Sequence, residues 1–292
     1  MAAESPIEDL KRLVLQRVAA DQLTLPSMPM VAAKALQTLR TPNGSLAATA
    51  QVLENDPLVS ARVLRIANSA AYATRESALS IAQAVSRLGT RTLETVLVEV
   101  SAQGVFASRN RDINAACQRL WEHSLATGLV ARDLALLVFG TAGQEFAQAA
   151  FLAGLLHDIG KPVLAAVMLE TEKKMASSGA APRWLPMQTW LELIAGAHRT
   201  VGLLVAAKWE MPALVRRGMT DLDTYEDAEP HSMRNFVRLA NVLVKRQGLY
   251  EGLSQGDLDG AVQQGCLLLS LDPALVENAL AGIAERVRQR IA

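Results

Sequence analysis

Histidine is rare in this 292-residue chain, and its four copies, His123, His157, His198 and His231, all lie beyond residue 120. His157 is followed directly by Asp158 at the end of an apolar segment, in the string LLHDIGKP. Imidazole and carboxylate groups together suit divalent transition metals. Adjacent residues of a helix point about 100° apart, so this pair can share one ion only at a helix end or between helices. A metal site would therefore need ligands from other helices, and the alternative is a pair that only caps its own helix.

Each of the other three histidines also has a structural interpretation. His123 lies in an amphipathic helical pattern, where a histidine is most often a satisfied core or surface residue. His198 lies between Gly196 and Gly202, which permit two helices to approach closely, and its alternative role is packing or capping. His231 follows an acidic stretch and is expected to be solvated. Proximity to the His157 pair would favour His123 as a further metal ligand.

Composition and charge favour a globular protein built from helices. Half of the residues are hydrophobic but only 4% are aromatic, so the core must be packed with aliphatic side chains, as in helix-on-helix packing. The formal net charge of zero argues against bulk nucleic-acid binding and against recruitment to anionic lipid. These features predict a soluble protein.

The remaining compositional signals point to the cytoplasm. The N-terminal residues have early acids and no apolar run beside basic residues, unlike a signal peptide. The most apolar stretch, residues 125–139, contains Arg132 and Asp133 and is shorter than the roughly 20 residues that span a bilayer. Cys117 and Cys266 are far apart and are expected to be reduced. We therefore predict a cytoplasmic protein without membrane contact.

Apolar residues recur at helical spacing along nearly the whole chain, and the alternating pattern of strands is scarce. We predict an all-α fold of two packed helical subdomains, residues 1–110 and 111–292, with partner recognition in the cleft between them. Breakers and capping signals predict helices over residues 7–20, 30–39, 45–54, 57–67, 80–88, 90–100, 113–139, 146–156, 163–175, 185–197, 201–209, 233–246, 257–269 and 273–291, a loop at 177–182 and a mobile acidic segment at 220–230.

Several strings together resemble the HD superfamily of metal-dependent phosphohydrolases, and within it the HDOD domain, the HD-related output domain. The most specific are NDPLVSARVLRIANS at residues 55–69 and FLAGLLHDIGK at residues 151–161. The strings LPSMP at 25–29, LWEHS at 120–124 and WEMP at 209–212 extend the resemblance to roughly residues 20–250. The resemblance implies an HD-like helical core in the second subdomain. It also implies that the two halves form one HDOD unit, followed by C-terminal helices.

The resemblance also implies a set of site residues. Active HD phosphohydrolases hold a metal with a His, His-Asp, Asp pattern, and His123, His157 and Asp158 match three of those positions. Lys161 matches a phosphate-facing lysine of the HD-GYP branch, and His198 matches a further histidine of its two-metal form. In such enzymes the metal activates a water for attack on phosphorus.

This sequence departs from the active pattern at two places. Asn241 stands where the closing aspartate is expected, and an amide is a weak, neutral ligand. The tandem histidines expected after the WEMP string are missing, and no Gly-Tyr-Pro string is present. We therefore interpret the metal set of His123, His157, Asp158 and Asn241 as degenerate. No cofactor is certain, and a bound metal would be Fe, Mn or Zn.

The preferred interpretation is a bacterial signal-transduction module that is regulatory, non-catalytic and partnered by other signalling proteins. One alternative is a metal-dependent phosphohydrolase or cyclic-(di)nucleotide phosphodiesterase, with Lys161 in the catalytic machinery. Another is a nucleotide-binding sensor without turnover, with His198, Arg199 and Lys161 as ligand-binding residues. Arg216 and Arg217 would add phosphate contacts in that case, unless these arginines are only solvated surface residues.

Overall fold

The structure is a computed structural model that describes residues 25–42, 44–72, 74–108, 110–177, 187–249 and 256–291. The predicted helix at 7–20 and all but the first residue of the predicted loop at 177–182 lie outside these ranges. Every regular element in the described part of the chain is a helix, which confirms the predicted all-α class.

The described residues form thirteen α-helices and one short 3-10 helix, joined by turns and irregular segments. They are α1 Met30–Arg40, α2 Leu46–Leu53, α3 Pro57–Ala67, α4 Ile81–Val105, α5 Arg111–Phe139, the 3-10 helix Gly140–Gly143, α6 Gln144–Leu156, α7 Gly160–Ser177, α8 Met187–Lys208, α9 Ala213–Gly218, α10 Met233–Arg246, α11 Leu258–Leu268, α12 Pro273–Leu280 and α13 Ile283–Ile291.

Side-chain caps begin the early helices where the sequence predicted them. The Ser45 hydroxyl accepts a hydrogen bond from the Ala48 amide at the start of α2, and Ser80 caps α4 in the same way. The Asp56 carboxylate accepts from two amides of α3, whose first residue is a proline. Each cap satisfies an amide that has no partner within its helix. Gly89, with φ 68°, breaks the helical path inside α4, so the predicted break at this residue is also present.

The long helices α5 and α6 form the central pair, and they approach each other at two glycines. A Cβ atom on Gly154 would lie 2.8 Å from the Cα of Gly128, and one on Gly128 would lie 2.8 Å from the Phe151 carbonyl oxygen. Any larger side chain at this crossing would push the backbones apart. The close approach brings His123 of α5 and the end of α6 onto the same side of the core.

Two predicted helix boundaries are wrong. The helices predicted at 185–197 and 201–209 form one continuous helix, α8, since residues 198–200 contain no helix-breaking residue. The helix predicted at 273–291 is divided into α12 and α13, because Gly282 has φ 71° and turns the chain between them. Pro162 lies in the first turn of α7 rather than before it, where its missing amide hydrogen leaves no hydrogen bond unmade.

The acidic segment at 220–230 is irregular but anchored, in contrast to the predicted mobile excursion. The buried side chain of Asn235 accepts from the Glu226 amide at 2.8 Å and donates to three carbonyls of the segment. Arg217 pairs with Glu226 and Glu229. The segment is therefore held to α9 and α10 by hydrogen bonds and ion pairs.

By length and composition alone, two helical stretches among the described residues could cross a membrane, Ile113–Glu170 and Trp190–Lys208. In their most apolar windows, 50% and 44% of the residues are buried inside the protein. The first stretch includes the apolar residues 125–139, of which most of the aliphatic side chains are buried. About half of each apolar window is therefore used for packing against other helices.

Candidate functional site

The His157-Asp158 pair lies in the tight turn that joins α6 to α7. The Ile159 amide donates to the Leu156 carbonyl at 3.0 Å, and the Lys161 amide donates to the Asp158 carbonyl at 2.9 Å. The chain thus leaves α6 and enters α7 within three residues, as a pair at a helix end requires. This turn places the two side chains between helices rather than along one helix face.

A glycine brings α8 against this turn. A Cβ atom on Gly160 would lie only 1.8 Å from the His198 carbonyl oxygen and 2.8 Å from the Gly202 amide nitrogen. No residue with a side chain can be accommodated at this position without moving a backbone. Gly160 therefore permits α8 to deliver His198 next to Asp158.

The Asp158 carboxylate is the centre of a cluster of three imidazoles and one ammonium group. Its Oδ2 lies 3.3 Å from His157 Nε2 and 3.9 Å from His123 Nε2, and its Oδ1 lies 3.5 Å from His198 Nε2. The closest group is Lys161, whose Nζ is 2.6 Å from Oδ2. The structure thus brings together five of the predicted site residues, which come from α5, the α6–α7 turn, α7 and α8.

All three imidazoles turn the same nitrogen toward the carboxylate. His157 Nδ1 lies 2.7 Å from the Gly154 carbonyl oxygen, His123 Nδ1 is 3.1 Å from the Leu249 carbonyl oxygen, and His198 Nδ1 is 2.9 Å from carbonyl oxygens of its own helix. A carbonyl oxygen only accepts, so each Nδ1 donates and a neutral ring presents the lone pair of Nε2. Metal-ligating histidines are oriented by hydrogen bonds of this kind.

Burial keeps two of these imidazoles neutral. Desolvation, followed by the neighbouring His157, lowers the pKa of His123 to about 3. Desolvation also lowers the pKa of His198 to about 4, although the Asp158 charge opposes the shift. Burial opposes ionisation of Asp158 as well, but His157 and Lys161 outweigh it and hold the pKa of Asp158 well below its ordinary value. At neutral pH the cluster therefore contains the ionised carboxylate of Asp158, the neutral imidazoles of His123 and His198, and the Lys161 ammonium group.

The donor types and their spacing fit a transition metal. One ligand atom each from His123, His157 and Asp158 lie within 4.8 Å of one another, and all three residues are buried. Lone pairs of nitrogen and a carboxylate that face each other are stabilised by a cation between them, and Lys161 already supplies one positive charge at Asp158. These three residues, with His198 beside them, would hold an ion if one bound.

Asn241, the predicted fourth ligand, lies on α10 and is 7% exposed. Its Oδ1, which can accept a hydrogen bond or coordinate a cation, has no hydrogen-bond partner in the described part of the chain. Lys245 lies one turn later on the same helix face. Burial lowers the pKa of Lys245, and the charge of Asp158 opposes that shift, which places this face of α10 near the cluster.

The cluster is closed to solvent. The exposed fraction is 0% for His123, 3% for His157, 2% for Asp158 and 8% for His198. A catalytic metal site keeps a coordination position open for water or substrate. These four side chains present almost no surface to solvent in this conformation.

Two of the three arginines predicted as phosphate contacts, Arg199 and Arg217, form ion pairs with acidic residues outside the cluster. Arg199 forms two hydrogen bonds with Asp223, at 2.6 and 2.7 Å, and this ion pair raises the pKa of Arg199. Arg217 pairs with acids of the 220–230 segment, as described above. His231 is exposed, and its ring lies 5.7 Å from the Phe139 ring between centroids, so it is not one of the histidines around Asp158.

Sequence reasoning did not identify two contributors to the cluster. Lys245 could have been found from its position four residues after Asn241 on an amphipathic helix. The Leu249 carbonyl that orients His123 could not, because a backbone acceptor 126 residues away leaves no signal in the side-chain pattern.

Comparison with known proteins identifies the family. The profile of the HDOD domain matches residues 25–223, more than half of the chain. The chain belongs to the HDOD domain family. This confirms the resemblance found in the sequence, and the HDOD match ends before α10.

Similar proteins share the fold at low sequence identity. An uncharacterised protein of Treponema pallidum (strain Nichols) is 25% identical over 189 residues, which are 64% of this chain but 35% of that protein, so the chain spans about a third of that relative's length. A structure from Shewanella amazonensis SB2B, whose name proposes a metal-dependent phosphohydrolase, has a TM-score of 0.78 at 21% identity and covers 98% of this chain and 99% of its own.

Two further structures have the same fold. An HDOD domain protein of unknown function from Geobacter sulfurreducens has a TM-score of 0.63 at 20% identity, covering 96% of this chain and 98% of its own. A protein from Marinobacter aquaeolei VT8, whose name proposes a signal-transduction role, has a TM-score of 0.61 at 22% identity, covering 100% of this chain and 61% of its own. At these identities the likeness shows the fold alone.

Proposed function

We propose that this HDOD protein is a regulatory interaction module of bacterial signal transduction, and that its HD-type cluster does not hydrolyse phosphate esters. The observation that carries the second part is the 2.6 Å contact between Lys161 Nζ and Asp158 Oδ2 inside a closed cluster. The ammonium group lies on the carboxylate oxygen that a metal would need. The cluster is thus satisfied by a cation that the chain itself provides.

The rest of the site supports the same conclusion. Where a divalent metal binds an HD-type site, it activates water and polarises phosphate oxygens. In this chain the fourth ligand would be the neutral oxygen of Asn241, which contributes less to cation binding than a carboxylate. The near-complete burial of His123 and His157 also argues against direct contact between a substrate and these imidazoles.

The cluster has a structural use that needs no turnover. Its members hold α5, the α6–α7 turn, α7 and α8 to one carboxylate, and His123 also binds the Leu249 carbonyl beyond α10. A rigid junction of this kind suits a module that presents a surface to a partner. The signalling assignment is supported by the HDOD family and by the name given to the Marinobacter aquaeolei protein.

A turnover assay tests the non-catalytic assignment. The wild-type protein and the His157→Ala variant are each loaded with Mn²⁺, Fe²⁺ or Zn²⁺ and given bis(p-nitrophenyl) phosphate or a cyclic dinucleotide. Equal background rates are expected, because the cluster contributes nothing to hydrolysis. Metal-dependent turnover that disappears in His157→Ala would overturn the proposal.

That opposite result would establish the second candidate, a metal-dependent phosphohydrolase. The specific observation in its favour is the orientation of the three Nε2 lone pairs toward Asp158. It would also mean that the cluster opens and that Lys161 leaves Asp158 when a metal binds.

The interaction half of the proposal is tested in the cells from which the protein comes. Leu58, in the first turn of α3 and in the most specific HDOD string, is 63% exposed, and Leu267 of α11 is 81% exposed but lies outside the HDOD match. Purification of the tagged protein should recover a signalling protein that is lost with Leu58→Glu and kept with Leu267→Glu. Equal recovery with both variants, or none with the wild type, would contradict a role for the HDOD surface.

A further inference from the structure

A second cavity, separate from the histidine cluster, lies where the two halves of the chain meet. Its volume is about 480 Å³, and it is bounded by the turn after α3 and by α4, α5, α6 and α13. It shares no lining residue with the cluster around Asp158. The contribution of α13 lies well beyond residue 223, where the HDOD match ends.

The charges on the wall of this cavity are all of one sign. Arg132, Arg286 and Arg290 line it, and none of its lining residues is acidic. The carboxylates that pair with these arginines do not line the cavity. Asp133 binds Arg132 at 3.0 Å and Arg286 at 2.7 Å, and Glu99 binds Arg290. The lining residues themselves thus carry positive charge only, which favours an anionic ligand.

Arg290 is held in place yet keeps one donor unused. Its Nε and Nη2 donate to the two oxygens of Glu99 at 2.7 and 2.5 Å, and the Tyr72 and Phe151 rings lie 5.5 and 5.6 Å from its guanidinium carbon. The side chain is only 4% exposed, and its Nη1 has no hydrogen-bond partner in the described part of the chain. A buried donor without a partner costs about 1–3 kcal/mol or more when the group is charged. Glu99 and the two rings thus fix the guanidinium group of Arg290 in position at the wall of the cavity.

The size and the remaining lining define the ligand further. Pockets for small molecules have volumes of about 300–1,000 Å³, so an inorganic anion would fill only a small part of this one. Thr92, Gln144 and Gln148 offer neutral donors and acceptors, and Leu129 and Leu136 offer apolar surface. Guanidinium groups match phosphate oxygens in geometry, and a phosphate monoester has about two negative charges at neutral pH.

We propose that this cavity binds a small organic phosphate of about the size of a nucleoside monophosphate, with its phosphate on Arg132, Arg286 and Arg290. The neutral groups of α4 and α6 contact the organic part. This site is independent of the proposed function of the histidine cluster. Through this site, a small molecule can regulate the signalling module.

Binding would also strengthen the attachment of α13 to α4 and α5. Arg290 of α13 and Glu99 of α4 are 191 residues apart, and Arg286 reaches Asp133 across 153 residues. A phosphate that bridges these arginines stabilises the docking of α13. Ligand binding is therefore expected to raise the thermal stability of the whole chain.

The test is isothermal titration calorimetry on the full chain at low ionic strength. The probes are AMP, GMP, glucose 6-phosphate, orthophosphate and adenosine. At least one organic phosphate is expected to bind saturably, with orthophosphate and adenosine weaker by about tenfold or more, since each lacks one part of the ligand. Preference for AMP or GMP identifies a nucleotide source, and preference for glucose 6-phosphate identifies a sugar phosphate.

Variants locate the site. Arg132→Gln and Arg286→Gln should each weaken binding by about tenfold or more, the loss expected for one charge-assisted hydrogen bond. Arg288→Gln is the matched control, because Arg288 lies on the same helix α13 but is 71% exposed and pairs with Glu285. Thermal unfolding of each variant confirms that it is folded, and two cavity arginines are used so that one unstable variant does not decide the result.

Several outcomes would overturn the proposal. They are the absence of saturable binding by AMP, GMP and glucose 6-phosphate, orthophosphate binding as tight as that of any organic phosphate, and affinity unchanged in both arginine variants. Loss of binding in His157→Ala with both arginine variants unaffected would assign the ligand to the histidine cluster instead.

Discussion

Replacing Lys161 with alanine is expected to turn the closed cluster into a metal site of useful affinity. The Lys161 ammonium lies 2.6 Å from Asp158 Oδ2, so an ion on that oxygen and the ammonium would be close neighbours. Two unit charges about 4 Å apart interact by about 4 kcal/mol at an effective dielectric constant of about 20, and a divalent ion doubles this.

The expected change in the metal dissociation constant is smaller than this repulsion implies, because the wild-type lysine can rotate away from the ion. Its side chain is 15% exposed, so part of the way to solvent is open. If about two thirds of the repulsion is relieved in this way, about 2–3 kcal/mol remains, which corresponds to roughly 30- to 150-fold in the dissociation constant. Asn241→Asp should strengthen binding further, since a carboxylate adds negative charge at the fourth ligand position.

The assay is a calorimetric titration of Zn²⁺ or Mn²⁺ into chelator-treated protein. Lys161→Ala should bind more tightly than wild type by the stated factor, and the double variant with Asn241→Asp should bind most tightly. Lys173→Ala is the matched control, because Lys173 is exposed on the same helix α7. If Lys161→Ala binds metal no better than wild type, the competition between ammonium and metal is refuted. So is the explanation of the degenerate site that rests on it.

Three further predictions concern stability. Gly160→Ala should lower the free energy of unfolding, measured by urea titration, by about 3 kcal/mol or more, because the new Cβ atom would collide with the backbone of α8. Gly104→Ala is the control and should be neutral or stabilising, because nothing lies within 4 Å of its Cβ position. Glu99→Gln should lower the free energy of unfolding by about 3–5 kcal/mol, because it leaves the buried guanidinium of Arg290 without its ion-pair partner. Glu285→Gln, which removes an exposed ion pair, should lower it by less than about 1 kcal/mol. Equal effects of the two substitutions would contradict a stabilising role of the buried pair. The folded-state pKa of His198 is about 4, below the unfolded value of about 6.5, so the unfolded state binds more protons in that window. Stability of chelator-treated protein should therefore fall as pH decreases from about 6.5 to about 4, and a His198→Gln variant with an unchanged slope would show that another group is responsible.

The sequence predicted most of the helices because their ends depend on local chemistry. Ser45, Asp56 and Ser80 each satisfy an amide a few residues away, so the signal and the element lie together in the chain. One error occurs at a glycine whose backbone angle the sequence does not give: Gly282, with φ 71°, turns the chain after α12. The other is the break predicted at residues 198–200, which is absent because those residues contain no helix breaker.

The motif anticipated which residues lie together, but not how closed their cluster is. The motif pointed to His123, His157 and Asp158, and the structure brings all three together. Closure of the cluster depends on contacts between segments far apart in sequence, such as His123 with Leu249. The sequence placed recognition in the cleft between the two halves but did not point to the arginines of the cavity there, since they are scattered over 158 positions, from 132 to 290, and become one surface only when the chain folds.

Lys161 illustrates how one residue can fit a motif and still act differently. The motif implies a lysine that faces the phosphate of a substrate. In this chain α7 begins at Gly160, so Asp158 and Lys161 lie three residues apart across the first turn and their side chains meet on the same face. The Lys161 ammonium therefore contacts the Asp158 carboxylate. The lysine that would serve catalysis in an open site therefore neutralises Asp158 in a closed one.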